Sequence, residues 1–455
     1  MIGFIPRRYW AVIAVALALI MSVLDGTIVN VALPTLSREF GTSPSSTIWI
    51  VNAYQLTITM SLLSFSALGD IYGYKRIFLI GTIIFCSMSL FCALSSSFAM
   101  LTVARILQGI GASAIMSVTT ALLRIIYPPQ YIGRGMSINA MVVAVSIAAG
   151  PSLAGAILSV ASWNWLFAIN VPLGICAIIT GYFLLPQNPC KDGPKRKFDK
   201  IGGISNALTF GLLIYSLEGI AHHENWRMIA LQILLLLLIG TFFIRRQLRQ
   251  AVPILPLDLM RIPIFALSVL SSITSFTAQL LAMVSLPFYL QNVAGRNEVE
   301  TGLLLTPWPV ATILTAPVAG RLIEKYHPGL LGGIGMVVYA TGLLLLALLP
   351  GQPTNMDIAW RLMLCGMGFG LFQTPNNSTM ISAAPRSRSG GANGMQGTAR
   401  LLGQTLGTTF VALIFSVTSA TDSMPVCMYV AVGFALVAAI VSCLRISQPV
   451  PMRGR

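Results

Sequence analysis

The sequence predicts an all-α membrane protein of fourteen spans, and three observations carry that expectation. Of 455 residues, 56% are hydrophobic and only 9% are charged, with a mean hydropathy of +0.81; a soluble chain carries roughly 25% charged residues. The apolar residues gather in runs long enough to cross a bilayer, for which a helix needs about 20. Lys and Arg, finally, crowd every second connection between the runs, the asymmetry that orients a membrane protein.

Broken at charge and at Gly/Pro clusters, the chain gives spans at 9–34, 48–69, 77–97, 98–126, 135–161, 163–186, 201–220, 227–246, 264–291, 300–323, 329–350, 357–383, 391–419 and 425–446. The two weakest by composition are 201–220, which contains Glu218, and 300–323, which contains Pro307, Pro309 and Pro317. Proline is tolerated in a membrane helix whose neighbours satisfy the freed carbonyls. No Ala-x-Ala-type cleavage site follows the first run, so 1–34 reads as a retained span rather than a signal peptide.

With the N-terminus in the cytoplasm, the inner segments carry Arg7, Arg8; Lys75, Arg76; Arg124, Arg134; Lys191, Lys195, Arg196, Lys197, Lys200; Arg245, Arg246, Arg249, Arg261; Arg321, Lys325; Arg386, Arg388; and Arg445, Arg453, Arg455. Only Arg38, Arg227, Arg296 and Arg361 fall at outer ends, and Arg105 and Arg400 lie within spans. This bias puts both termini inside and accounts for the net charge of +15 without nucleic acid. The seven cysteines stand singly, mostly in apolar runs, and read as small packing residues.

A weak internal repeat organises the spans. Leu68-Gly69-Asp70-Ile71-Tyr72-Gly73 after the second span matches Leu322-Ile323-Glu324-Lys325-Tyr326-His327 after the tenth, at an offset of 254 residues. The same offset carries the first span onto the ninth. The expected organisation is therefore a six-helix half (1–190), two inserted helices with their linkers (191–262) and a second six-helix half (263–455). Repeats of this kind place substrate sites where they meet. Asp25 then corresponds to Gln279, so the acid exists in only one half.

Asp25 is the residue that most demands an explanation. It lies inside the first apolar run, where a charge costs about 2.5–3.5 kcal/mol on insertion scales and marks a functional site by default. It stands nine residues before Pro34, roughly 13 Å from the outer face at the helical rise. Arg105, seven residues into the fourth span, is roughly 10 Å from that face. Similar depth allows contact. Pairing would favour the carboxylate and apolar burial the neutral acid, so a pair that opens and closes would carry a proton. A permanently closed pair would be structural.

Several patterns fall in order along the chain. They are Leu24-Asp25-x-Thr27-Ile28-Val29-Asn30-Val31-Ala32-Leu33-Pro34; Leu68-x-Asp70-x-x-Gly73-x-Lys75-Arg76; Ala104-Arg105-x-x-Gln108-Gly109-x-Gly111; Gly150-Pro151-x-Leu153-Ala154-Gly155; Trp163-x-Trp165-x-Phe167-x-Ile169-Asn170-x-Pro172-x-Gly174; Leu286-Pro287-x-Tyr289-Leu290-Gln291; and Arg400-x-x-Gly403-x-x-x-Gly407. Together they resemble the major facilitator superfamily, and within it the fourteen-helix drug:proton antiporter branch, over nearly the whole chain. The cytoplasmic pattern departs from its relatives at Ser66, Ile71 and Tyr74, which stand where the family usually has Gly, Arg and another basic residue.

The resemblance implies a proton-coupled exporter of amphipathic small molecules, such as drugs or biocides, working by alternating access in the inner membrane of a bacterium. Its expected partners are the bilayer, protons and a small-molecule substrate, with no cofactor, no metal and no nucleic acid, and the chain acting as a monomer. Asp25 and Arg105 are the expected proton-coupling pair. Asn52, Gln55, Gln108, Gln279 and Arg400 are candidates to line the substrate cavity. Asp70, Gly73, Lys75, Arg76 and, more weakly, Glu324 form an expected cytoplasmic latch, in which Asp70 caps the following helix or pairs with Lys75 and Arg76. Gly150, Pro151 and Gly155 form an expected kink and close contact.

Two other readings stand beside this one. An exporter of a specific metabolite or anionic antibiotic would use Arg400, which has no obvious acid at its depth. A non-transporting membrane receptor is the other. An enzyme is disfavoured, because no Ser/His/Asp set, metal cluster or nucleotide-binding Gly loop stands out.

Overall fold

In hydrocarbon each backbone N–H and C=O must be satisfied within its own segment, so uninterrupted apolar runs fold as helices. The computed structural model describes residues 7–128, 131–187, 198–221, 225–250, 253, 255–385 and 388–447. Its helices are α1 (Arg7–Phe40), α2 (Pro44–Thr47), α3 (Trp49–Tyr72), α4 (Tyr74–Ala93), α5 (Phe98–Ile126), α6 (Ile132–Val160), α7 (Trp165–Ala168), α8 (Asn170–Leu184) and α9 (Lys200–Ala221). They continue with α10 (Trp226–Arg249), α11 (Pro263–Asn292), α12 (Glu298–Leu305), α13 (Pro307–Leu322), α14 (Pro328–Ala347), α15 (Asn355–Ala383), α16 (Ser389–Val417) and α17 (Ser423–Leu444).

Two expected spans are each made of two helices. The span 163–186 is α7 and α8, parted at Ile169, and 300–323 is α12 and α13, parted at Thr306; the span 48–69 falls on α3, with the short α2 ahead of it across Ile48. At the Thr306 break Pro307 takes the first position of α13, where its missing N–H costs nothing. Among the described residues, twelve segments are long and apolar enough to cross a membrane. The other two long helices, α9 and α15, are outside that set. α15 carries Gln373, Asn376 and Asn377 near its middle. The expected boundary at 190/191, the side chain of Glu218, and the outer-loop His222 and His223 lie outside the described residues.

Short polar turns start the helices as their sequences require. Ser97 Oγ accepts from Met100 N at 3.2 Å at the start of α5. Asn297 with Glu300 and Thr354 with Asp357 form capping boxes on α12 and α15. Gly73 joins α3 to α4 at φ +104°, a conformation that L side chains rarely adopt.

Small residues then let the helices approach. A Cβ on Gly111 of α5 would lie 2.5 Å from Phe85 N of α4, and one on Gly403 of α16 would lie 2.4 Å from Ile273 O of α11. α1 packs against α5, α6 and α8, and α5 against α3 and α4. α11 packs against α16 and α17, and α15 against α13 and α14. α9 and α10 pair with each other, and α9 leans on α3 and α16.

The apolar core is one cluster at one end of the bundle and two clusters at the other. Call the end carrying Arg7 and Leu444 the terminal end and its opposite the distal end. Toward the distal end one cluster joins Ile28, Val31, Leu33 and Leu36 of α1 to Leu281, Leu286 and Leu290 of α11 and Trp308 of α13. Toward the terminal end there are two clusters. One gathers Val12, Val15 and Ala18 of α1 with Leu122 and Ile126 of α5 and takes in Leu401 of α16; the other gathers Phe265 and Val269 of α11 with Met380 and Ala383 of α15.

Polar contacts follow the same asymmetry. Gln291 Nε2 donates to Val31 O at 2.9 Å, Arg38 pairs with Glu298 at 3.2 Å, and the Ser152 and Thr306 hydroxyls bond each other, all near the distal end. A Cβ on Gly302 of α12 would lie 2.3 Å from Pro151 O, and one on Gly155 would lie 2.7 Å from Glu298 O. Gly150, Pro151 and Gly155 thus sit where α6 meets α1 and α12, with Gly150 against Thr27. α6 is helical from Ile132 to Val160 with Pro151 inside it.

Candidate functional site: a buried carboxylate–guanidinium pair

Asp25 is on α1 and Arg105 on α5, and both side chains are completely shielded from solvent. Arg105 Nη1 donates to Asp25 Oδ2. The other carboxylate oxygen, Oδ1, accepts from Gln108 Nε2 at 3.1 Å and from Asn170 Nδ2 at 2.9 Å. Three N–H donors from two helices therefore converge on one carboxylate. A proton arriving on either oxygen would displace one of them.

The guanidinium is held from several directions. Its Nη1 also donates to Gln108 Oε1 at 2.7 Å, and its Nε donates to Ile50 O at 3.2 Å. The Tyr54 ring lies 4.0 Å from the guanidinium carbon and the Phe167 ring 5.6 Å. Tyr54 is fixed by donating to Ser22 O at 2.8 Å, and Gln108 by donating to Ser89 Oγ at 2.7 Å. Arg105 Nη2 alone is buried without a hydrogen-bond partner among the described residues. The depth estimates thus meet in direct contact, and every group around the pair comes from α1 to α8.

Gln108, expected among the cavity residues, bridges acid and base in this structure. Asn52, expected in the same set, is placed between two helices. It is fully buried, donating to Thr409 Oγ1 at 2.9 Å and accepting from Thr408 Oγ1 at 2.6 Å, which ties α3 to α16. Gln55 is also buried, with its Oε1 unpartnered among the described residues. Gln279 and Arg400 are partly exposed. Arg400 Nε is buried without a partner, and the guanidinium has no hydrogen bond or ion pair among the described residues.

The expected latch has different internal partners. Tyr74 Oη donates to Asp70 Oδ1, so the residue that replaces a family basic group supplies the donor. The residue at the start of α4 is Gly73, which has no side chain to cap it. Lys75 Nζ donates to the carbonyls of Tyr182 and Leu185 at 2.7 and 2.9 Å, holding the end of α8. Arg76 and Glu324 are exposed.

Two residues were missed as site members. Asn170 belongs to the Trp163–Gly174 pattern, which gave its position but not its partner. Arg445 stood among the loop cations, yet it is fully buried. Its Nη1 donates to Ser268 Oγ at 3.0 Å and to Asn376 Oδ1 at 2.7 Å, its Nη2 to Ser442 Oγ and its Nε to Ser442 O at 3.4 Å.

A model of the Major Facilitator Superfamily matches residues 15–408. At 55% identity over 445 residues, 98% of this chain and 97% of the relative, the sequence is similar to Uncharacterized transporter YebQ of Escherichia coli. At 28% identity over 413 residues, 90% of this chain and 82% of the relative, it is similar to Multidrug efflux pump LfrA of Mycolicibacterium smegmatis. Among solved structures, a bacterial homolog of the human lysosomal transporter Spinster, inward-facing and unoccupied, has the same fold, with a TM-score of 0.68 at 15% identity over 97% of each chain. The chain belongs to the Major Facilitator Superfamily, as a membrane transporter.

Proposed function

We propose that this transporter is a proton-coupled exporter of small molecules, built of fourteen spans as two six-helix halves, α1–α8 and α11–α17, around the inserted pair α9–α10. The Lys/Arg bias assigns the terminal end to the cytoplasm and the distal end to the outside of a bacterial inner membrane. The single distal cluster, against two smaller clusters at the terminal end bridged only at α3 and α16 among the described residues, supports a state closed to the outside and open toward the cytoplasm. The observation that carries the proton assignment is the Asp25–Arg105 pair, a titratable acid with no solvent contact in a membrane interior.

In this state Asp25 is held as a carboxylate by three donors. When α1 and α11 part at the distal end, water reaches the pair, a proton replaces a donor on Asp25, and Arg105 turns to Gln108 and Ile50 O, which it already contacts. Return to the cytoplasm-open state rebuilds the donor set and expels the proton inward. Substrate leaves during the outward excursion. Asp70, Gly73, Lys75, Arg76 and Glu324 shape the cytoplasmic closure, and Gly150, Pro151 and Gly155 the distal one.

The test is a compound panel on reconstituted protein, reading internal pH with a trapped dye and compound movement together. Active compounds are expected to move only with opposite proton flux. Compound movement that leaves internal pH unchanged in wild type would contradict the coupling.

A further inference from the structure

The exporter reading leaves open what its cavity is charged to hold. We infer that the substrate is an organic anion of the carboxylate or sulfonate class, and that its charged group docks on Arg400; this rests on the exporter reading above.

Three arginines lie deep in this bundle, and two are held by several acceptors each. Arg105 has Asp25, Gln108 and a carbonyl; Arg445 has Ser268, Asn376 and Ser442. Arg400 has neither an acid nor a hydrogen-bond acceptor among the described residues, although it lies midway along α16. Gly403 and Gly407 set one side of this helix against the backbone of α11, and Gly397 and Leu401 set another against Leu62 and its neighbours on α3. Between those two faces runs a third that carries Asn393, Arg400 and Gln404. All three side chains are partly exposed, and none is hydrogen-bonded among the described residues. Polar groups facing lipid are strongly disfavoured, so this row faces a water-filled passage.

No acid with a described side chain answers that charge. Asp25 is sealed within α1–α8 with no accessible surface. The other acids with described side chains lie at helix ends or in connections. A cationic substrate would therefore meet a lone guanidinium and no carboxylate. An anion finds the counter-charge and, in Gln404 and Asn393, neutral donors beside it. Proton site and substrate site then occupy different halves, and they communicate through the rocking of one half on the other rather than by competing for one carboxylate.

The charge balance gives a transport signature. One proton entering while one monoanion leaves moves two positive charges' worth of current inward per cycle. One proton against one monocation moves none.

The experiment uses purified full-length protein and two probes with the same ring and opposite charge, naphthalene-2-carboxylate and 2-naphthylmethylammonium, titrated in a thermal unfolding assay. The carboxylate is expected to raise Tm with saturation and the ammonium to leave it unchanged. Arg400→Gln is expected to weaken the carboxylate about tenfold or more, the scale of a lost charge-assisted contact. Arg400→Lys should retain part of the affinity. Ligand-free Tm values check that each variant folds.

No shift with the carboxylate, an equal shift with the ammonium, or undiminished carboxylate binding by Arg400→Gln would each overturn the assignment. In proteoliposomes, carboxylate export should accelerate under a potassium diffusion potential that is negative on the cytoplasmic side. Binding that depends on Arg400 without any pH-driven movement would sink the exporter reading and leave the anion site standing.

Discussion

Two fully buried guanidinium groups divide the molecule's chemistry. Arg105, among α1–α8, faces a carboxylate and an amide; Arg445, where α11, α15 and α17 meet, faces two serines and an asparagine. Both solve the problem of burying a cation, but only the first does so with a partner that can take up a proton. The Arg445 cluster has one protonation state to offer. It is a fixed clasp on the terminal end of its helices, whereas the Asp25 cluster, in the proposed mechanism, passes between two states.

The comparison breaks most sharply under removal of the two arginines. Arg105→Met strands a buried carboxylate, and breaking a buried pair from one side typically costs about 3–5 kcal/mol. The double variant Asp25→Asn, Arg105→Met should recover a large part of that loss. Arg445→Met strands only neutral groups, each costing about 1–3 kcal/mol at most, part of it offset by new apolar packing. Denaturant titration of the purified variants orders them. A larger loss for Arg445→Met than for Arg105→Met would overturn the contrast.

A smaller effect is expected in pH dependence beside Arg445. His327 caps α14, its Nδ1 accepting from Gly329 N at 3.0 Å, a role only the neutral ring can fill. Burial first, and then the Arg445 charge, hold its pKa below the usual value, which is about 6.5. Its contribution to stability is therefore present above that pH and is lost as pH falls through the lowered folded pKa. His327→Asn keeps an acceptor and cannot titrate, so the variant should lose less Tm than wild type between pH 7.5 and pH 5. An identical loss in both would remove His327 from the account.

The smallest effect belongs to the distal rim. Arg38 and Glu298 are 3.2 Å apart but 56% and 29% exposed, so water screens them and Arg38→Ala should cost no more than about 1 kcal/mol. A loss comparable with that of Arg105→Met would mean that the distal closure depends on this pair rather than on the apolar cluster beneath it.

Much of the fold was legible because a bilayer makes length and hydropathy nearly sufficient. The Asp25–Arg105 contact was legible for a related reason: helices that span the same slab have comparable depths, so counting residues brings two charges to one level. Helix rotation is not readable in that way. Gln108 and Asn52 were assigned to a cavity because they are polar at membrane depth, yet rotation turns one into the ion pair and the other onto Thr408 and Thr409. Arg445 was hidden more completely. It stands among terminal basic residues, and the groups that bury it, Ser268 and Asn376, lie 177 and 69 residues away. The break at Thr306 had a visible cause in Pro307 and that at Ile169 one in Pro172, which has no N–H to offer the Ala168 carbonyl; the break at Ile48 has no proline just after it.

The central claim is that Asp25 carries the coupled proton, and Asp25→Asn tests it with least ambiguity because the amide keeps the side chain's size and polarity. Reconstituted wild type and variant would be compared for compound uptake driven by an imposed pH gradient, with circular dichroism and Tm confirming that the variant inserts and folds. The account predicts that gradient-driven uptake disappears in Asp25→Asn. Uptake by the variant at the wild-type rate, with the same internal pH change, would contradict it.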